Sequence, residues 1–136
     1  MTGVHVRVDV AGEQYALPVE HVKEVVETGE LAPVPGAPDS VLGLRNLAGD
    51  IVPALDLAAM LGIQRQASPA RLVIVERDGR PAGLAVNKVL DVGHLAGESH
   101  EHESPYLAAS VLVGDAMVGV LDLDALLEKL SAAGVR

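Results

Sequence analysis

The chain repeats itself. Gly12-Glu-Gln-Tyr-Ala-Leu17-Pro-Val19 aligns with Gly79-Arg-Pro-Ala-Gly-Leu84-Ala-Val86, and Val22 and Val25 are answered by Val89 and Val92, all at a spacing of 67 residues. Leu55-Asp56-Leu57-Ala-Ala-Met-Leu61 aligns with Leu121-Asp122-Leu123-Asp-Ala-Leu-Leu127 at 66, and Gly49-Asp50 precedes Gly114-Asp115 at 65. So small a drift implies one β-rich unit used twice. In 136 residues each unit is too small to bury a stable core alone, so the two must fold as one body around shared apolar surface. Two like modules side by side also leave a groove between them, a natural place for a ligand or partner.

Composition narrows the kind of module. Hydrophobic residues make up 49% of the chain, yet it has no Phe or Trp and only Tyr15 and Tyr106 as aromatic rings. A core of Val, Leu and Ala must be assembled in thin layers of branched aliphatics, which suits small barrels better than a thick sandwich. The formal charge of −9 leaves no basic stripe for nucleic acid or for an anionic membrane surface. No apolar run approaches the ~20 residues of a membrane span, and Met-Thr-Gly-Val-His-Val-Arg lacks signal-peptide character. With no cysteine, disulfides and thiolate chemistry are excluded. A soluble cytoplasmic protein is expected.

Local patterns then give the elements. Val4, Val6, Val8 and Val10 alternate with polar residues, the period of a half-buried strand. A second strand passes through Tyr15, Leu17 and Val19, and three valines at 22, 25 and 26 favour a third. The proline-rich stretch from Thr28 to Ser40 predicts an ordered loop, with a short strand at Leu31–Val34. Strands follow at Val41–Leu47 and Ile51–Leu55, then a short helix Leu57–Leu61 capped by Asp56 and ended by Gly62. Ile63–Ala70 is a connector. The second half predicts strands at Arg71–Glu76, Pro81–Val86, Val89–Leu95, Leu107–Val113 and Met117–Leu121, a charged loop at Gly97–Pro105, and a helix Leu123–Ala132 capped by Asp122. About ten strands and little helix make an all-β class.

Signals for catalysis are sparse. No serine sits in a nucleophile-elbow turn, and no glycine-rich phosphate loop occurs. Asp56 and Asp122 are equivalent under the repeat, as in the carboxylate dyad of aspartic proteases, where two Asp share a proton. Each here precedes Leu at a helix start, however, which is the position of an N-cap. His100-Glu-His102-Glu is the only run resembling metal ligands, with His94 the nearest third candidate, and a solvated loop is expected. His5 and His21 are expected at the surface. No cofactor and no catalytic residue are assigned.

The run Val41-Leu-Gly43-Leu-Arg-Asn46-Leu47-Ala-Gly49-Asp-Ile51-Val52-Pro53-Ala-Leu55-Asp56-Leu57 strongly resembles the hallmark of the CheW family. That hallmark is an apolar residue, Gly, two variable positions, Asn-Leu-Arg-Gly, then Ile-Val-Pro and an apolar-Asp-Leu. Tyr15–Val25, Val34–Pro38, Arg71–Val92 and Tyr106–Leu123 agree with its other blocks, so the resemblance spans about residues 4–130. It implies a single domain over 1–136 of two side-by-side five-stranded SH3-like barrels. The first is expected at about 11–65 and the second at about 66–136, with a contribution from strand 4–10.

The resemblance further implies a non-enzymatic adaptor of chemotaxis-type signalling. It would couple the regulatory domain of a CheA-type histidine kinase to the helical-hairpin tips of chemoreceptors, in the cytoplasm and recruited to receptor arrays at the inner membrane. The partner-binding positions it implies are Glu24, Val25, Gly43, Arg45, Asn46, Leu47 and Ala48. Ala48 stands where the family commonly has Arg. Arg45, three residues earlier and of opposite parity along a strand, does not replace it. That departure opens an alternative: a stand-alone CheW-like coupling protein, or a kinase regulatory module, in a divergent sensory pathway outside chemotaxis. A start at the first strand and an end just past a helix are expected of a stand-alone protein.

Overall fold

Eleven strands and two short helices make up the computed structural model, which describes residues 3–64 and 68–132. In chain order they are β1 (Val4–Val10), β2 (Glu13–Pro18), β3 (Val22–Glu27), β4 (Val41–Leu47), β5 (Asp50–Asp56), α1 (Leu57–Leu61), β6 (Arg71–Arg77), β7 (Arg80–Val86), β8 (Lys88–His94), β9 (Glu98–His100), β10 (Leu107–Val113), β11 (Ala116–Leu121) and α2 (Leu123–Ala132). A single 3-10 turn at Val19–His21 joins β2 to β3. No helix among these residues is long and apolar enough to cross a membrane.

The repeat holds for every strand but β9 and for both α-helices: β1 corresponds to β6, β2 to β7, β3 to β8, β4 to β10, β5 to β11 and α1 to α2. The two sheets run β8-β1-β2-β11-β10-β9 and β3-β6-β7-β5-β4, the same order under that correspondence apart from β9. Each sheet therefore joins a hairpin from one half to strands from the other, four in the six-stranded sheet and three in the five-stranded one. The six-stranded sheet takes residues 4–18 with 88–121, and the five-stranded sheet takes 22–56 with 71–86. A division near residue 65 does not separate them, so the barrel ranges expected from the sequence, 11–65 and 66–136, are not the ranges of the sheets. Each exchanged hairpin is docked by a parallel pairing, β2 on β11 and β7 on β5, in matching register.

Turn chemistry explains the hairpins. Ala11-Gly12, Ala48-Gly49 and Asp78-Gly79 all adopt positive φ at both positions, the turn whose twist matches that of paired strands. Asp9 and Asn46 brace two of them by accepting the N–H of Gly12 at 2.7 Å and of Gly49 at 2.9 Å. Asp56 and Asp122 cap their helices, accepting from Ala59 N at 3.2 Å and Ala125 N at 3.1 Å, and Gly62 ends α1 at φ 74°.

Each sheet curls so that its edges approach. After β3 the chain crosses to β4, where Ala32 and Leu44 exchange hydrogen bonds of 2.9 and 2.8 Å. Gly43 permits this: it is buried at φ 151°, and a Cβ there would lie 2.6 Å from the Ala32 carbonyl oxygen. In the other half the same crossing is made by β9, which pairs with β10. The expected short strand at 31–34 is thus a single bridge, and the expected loop after Gly97 begins with a three-residue strand.

The shared core lies between the sheets. Val6, Val8 and Val10 of β1 meet Val73 and Val75 of β6, with Leu55, Leu84 and the α2 residues Leu123, Leu126, Leu127 and Leu130. Smaller clusters fill each curled sheet, Val52, Leu72 and Ile74 in one and Val111, Val118 and Val120 in the other. Strands of the central hairpins are consequently covered on both faces, and this corrects one expectation. His5, expected at the surface from the alternation of β1, is 4% exposed with its Nδ1 3.0 Å from the Gly3 carbonyl oxygen.

Candidate functional site

The pairing of β3 with β6 slips between Val22 and Glu24, so Lys23 is an extra residue in a bulge. A bulge redirects side chains and bends an edge strand, and here it brings Lys23 and Glu24 to one open groove. Its remaining wall is built by the tips of two hairpins: Leu47, Ala48, Asp50 and Ile51 from β4–β5, and Glu76, Gly79 and Pro81 from β6–β7. Ile51 is 54% exposed, an unusual position for a large aliphatic side chain unless something covers it. Lys23 Nζ lies 3.2 Å from Glu76 Oε2. Among the described residues, the groove lining thus sets one cation against three carboxylates, Glu24, Asp50 and Glu76, around an apolar floor.

Of the sequence-predicted positions, Glu24, Leu47 and Ala48 line this groove together. Ala48 occupies the exposed hairpin tip at φ 50°. Leu47 is half-buried against the cluster around Val52. Val25, the next residue along β3, is 42% exposed and lies outside the groove lining. Gly43, Arg45 and Asn46 serve the fold of the hairpin itself. Gly43 admits the Ala32 crossing, and Asn46 braces the turn. Arg45 turns back across the gap between the sheet edges, donating from Nη1 to the Asn46 carbonyl at 2.6 Å and from Nε to the Glu27 carbonyl at 3.5 Å.

Lys23, Asp50, Ile51, Glu76 and Pro81 are groove residues that sequence reasoning missed. Ile51 and Asp50 lie within the hallmark run and were open to recognition. Glu76 and Pro81 were not, because only the exchange of the β6–β7 hairpin brings them here.

The equivalent face of the other sheet differs in charge. Lys23, Glu24, Val25 and Ile74 correspond to Leu90, Asp91, Val92 and Arg7, and the bulge is repeated, between Arg7 and Val8. There Arg7 grips Asp91 with two bonds, Nε to Oδ1 at 3.0 Å and Nη2 to Oδ2 at 2.6 Å. Those hydrogen bonds hold the Asp91 carboxyl below the usual range and raise Arg7.

The catalytic and metal alternatives gain no geometry. Asp56 and Asp122 each cap their own helix. His100 and His102 are exposed, with His102 Nδ1 3.1 Å from the Ser104 carbonyl oxygen, and among the described residues no three His, Asp or Glu side chains gather closely enough to hold a metal ion. His21, only half-exposed, has Nε2 3.1 Å from Arg77 Nη1, so its ring accepts from the guanidinium. Arg77 in turn pairs with Asp124 of α2 at 2.5 Å.

Residues 5–131 match the CheW-like domain family. The chemotaxis protein CheW of Thermotoga maritima is 32% identical over 85 residues, 62% of this chain and 56% of that protein. Protein PilI of Pseudomonas aeruginosa is 27% identical over 104 residues, 75% of this chain and 58% of that protein. The matched stretch spans little more than half the length of the first curated relatives, between 51% and 56%. The solved structure of scaffolding protein TtCheW from Thermoanaerobacter tengcongensis superposes with a TM-score of 0.80 at 30% identity, covering 90% of this chain and 86% of that one.

Proposed function

The chain belongs to the CheW-like domain family, and on that premise we propose that it is a non-enzymatic scaffold of chemotaxis-type signalling, coupling a CheA-type histidine kinase to chemoreceptor tips. The observation that carries this reading is the family match along nearly the whole chain, hallmark hairpin included. The groove suits protein contact: it is open, apolar on its floor and rimmed by charge, and among the described residues its lining holds no side-chain constellation for turnover. Coupling of this kind is positional. Holding kinase and receptor in fixed relation lets a small receptor displacement shift the kinase between states, provided the scaffold binds those states unequally. The working location is the cytoplasm, with recruitment to receptor arrays at the inner membrane.

Calorimetric titration of this protein with the regulatory domain of a CheA-type kinase, and separately with a receptor helical hairpin, tests the proposal. Binding of both, and loss of about tenfold in affinity on Glu24→Lys with an unchanged circular dichroism spectrum, is the expected result. Binding of neither removes the reading. Ala48 favours a second reading, in which the kinase regulatory domain is bound and the receptor hairpin is not. The same two titrations separate the cases.

A further inference from the structure

The two halves of the molecule make a controlled comparison. At the bulge of the β8–β1 pair, Asp91 is neutralised from within by Arg7. At the bulge of the β3–β6 pair, the position opposite Glu24 is held by Ile74, which is 4% exposed and belongs to the local apolar cluster. Glu24 therefore has no guanidinium across the strand, and among the described residues it makes no ion pair. Among the described residues that line the groove the one cation, Lys23, is engaged by Glu76. The hairpin tip beside it carries Ala48, which supplies no charge, and Asp50 adds a further carboxylate.

We propose that the Glu24 groove takes an arginine or lysine side chain of the protein partner, flanked by apolar residues, in the place that Arg7 fills for Asp91 in the other half. The apolar floor of Ile51, Leu47 and Pro81 receives the flanking side chains. The carboxylates of Glu24 and Asp50 receive the cation, which gains most from them once water has left the contact. The overall charge of −9 draws such a segment in from a distance. The inference rests on the scaffold reading only in taking the partner to be a protein.

The test uses the whole chain and two short peptides, acetyl-Leu-Arg-Leu-Val-amide and its counterpart with Glu in place of Arg, followed by amide chemical shifts. The arginine peptide should move the resonances of Glu24, Ala48, Asp50 and Ile51, at least about tenfold more tightly than the glutamate peptide. Glu24→Gln with Asp50→Asn should abolish that preference, and Ala48→Arg should weaken arginine-peptide binding several-fold by placing a competing cation at the tip. Asp91→Asn should leave it unchanged. Equal affinity for the two peptides, or shifts centred on β8, overturns the proposal. Failure of the kinase domain to bind while the arginine peptide maps to the groove overturns the scaffold reading alone. Equal kinase affinity of the wild type and Glu24→Gln overturns this inference alone.

Discussion

Tyr15 is the largest side chain of the shared core and sits against Gly119, its partner in the parallel β2–β11 pairing. A Cβ at Gly119 would lie 2.9 Å from the ring, so the glycine is there to let the ring lie flat on the strand. Burial, reinforced by the nearby Glu13 charge, pushes the Tyr15 phenol up from 10.0 to about 12. The sign follows from which form is favoured. The folded state holds the neutral phenol, so its stabilisation is intact below pH 10 and is lost as pH rises toward 12. In a Tyr106→Phe variant, tyrosinate absorbance should rise with a midpoint near 12 if the fold survives, or together with unfolding if it does not. A midpoint near 10 in folded protein would contradict the burial. Local pattern could place Tyr15 on a strand. It could not reveal the fit to Gly119, which lies about a hundred residues away in the chain. Nor could it reveal that His5 is buried, because alternation reports one covered face and β1 has two.

Among the elements, the β4–β5 hairpin was the most legible, since the hallmark is contiguous and its turn residues state their own conformation. What the sequence left unread was the division of labour within it. Arg45 is clasped to the Glu27 carbonyl across the seam where β3 and β4 approach, and Gly29, whose added Cβ would sit 3.1 Å from the Arg45 Nε, keeps room for it. Arg45→Ala should therefore lower stability by about 0.5–1.5 kcal/mol in urea unfolding, the range of a lost hydrogen bond or two. Affinity for the arginine peptide should be unaffected. A variant of full stability and reduced affinity would instead make Arg45 a contact residue. The bulge at Lys23 escaped sequence reading for a different reason. An extra residue in one strand is defined only against the strand it faces, and that strand is 50 residues distant.

For the molecule as a whole, the repeat was visible from end to end while the exchange of hairpins was not. Local patterns fix which residues form strands, and both connected and exchanged sheets satisfy them equally. Only the joint packing of Val6, Val8 and Val10 against Val73 and Val75 decides. Because that core spans both sheets, neither should unfold alone. Leu126→Ala, at a fully buried position of α2, should cost about 2–5 kcal/mol. Amide signals of Val52 in one sheet and Val118 in the other should then vanish at one common denaturant concentration. Two separated transitions would mean that the sheets are independent bodies.

The exchange also dates the parts of the molecule. A ribosome that has released the chain as far as Val86 has supplied every strand of the five-stranded sheet, whereas β1 and β2, made before any of them, still await β11 near residue 121. That hairpin is thus made before the five-stranded sheet and housed after it. Until β11 has been made, β2 lacks its parallel neighbour and the hairpin keeps an unpaired edge, the kind of nascent surface that chaperones shield.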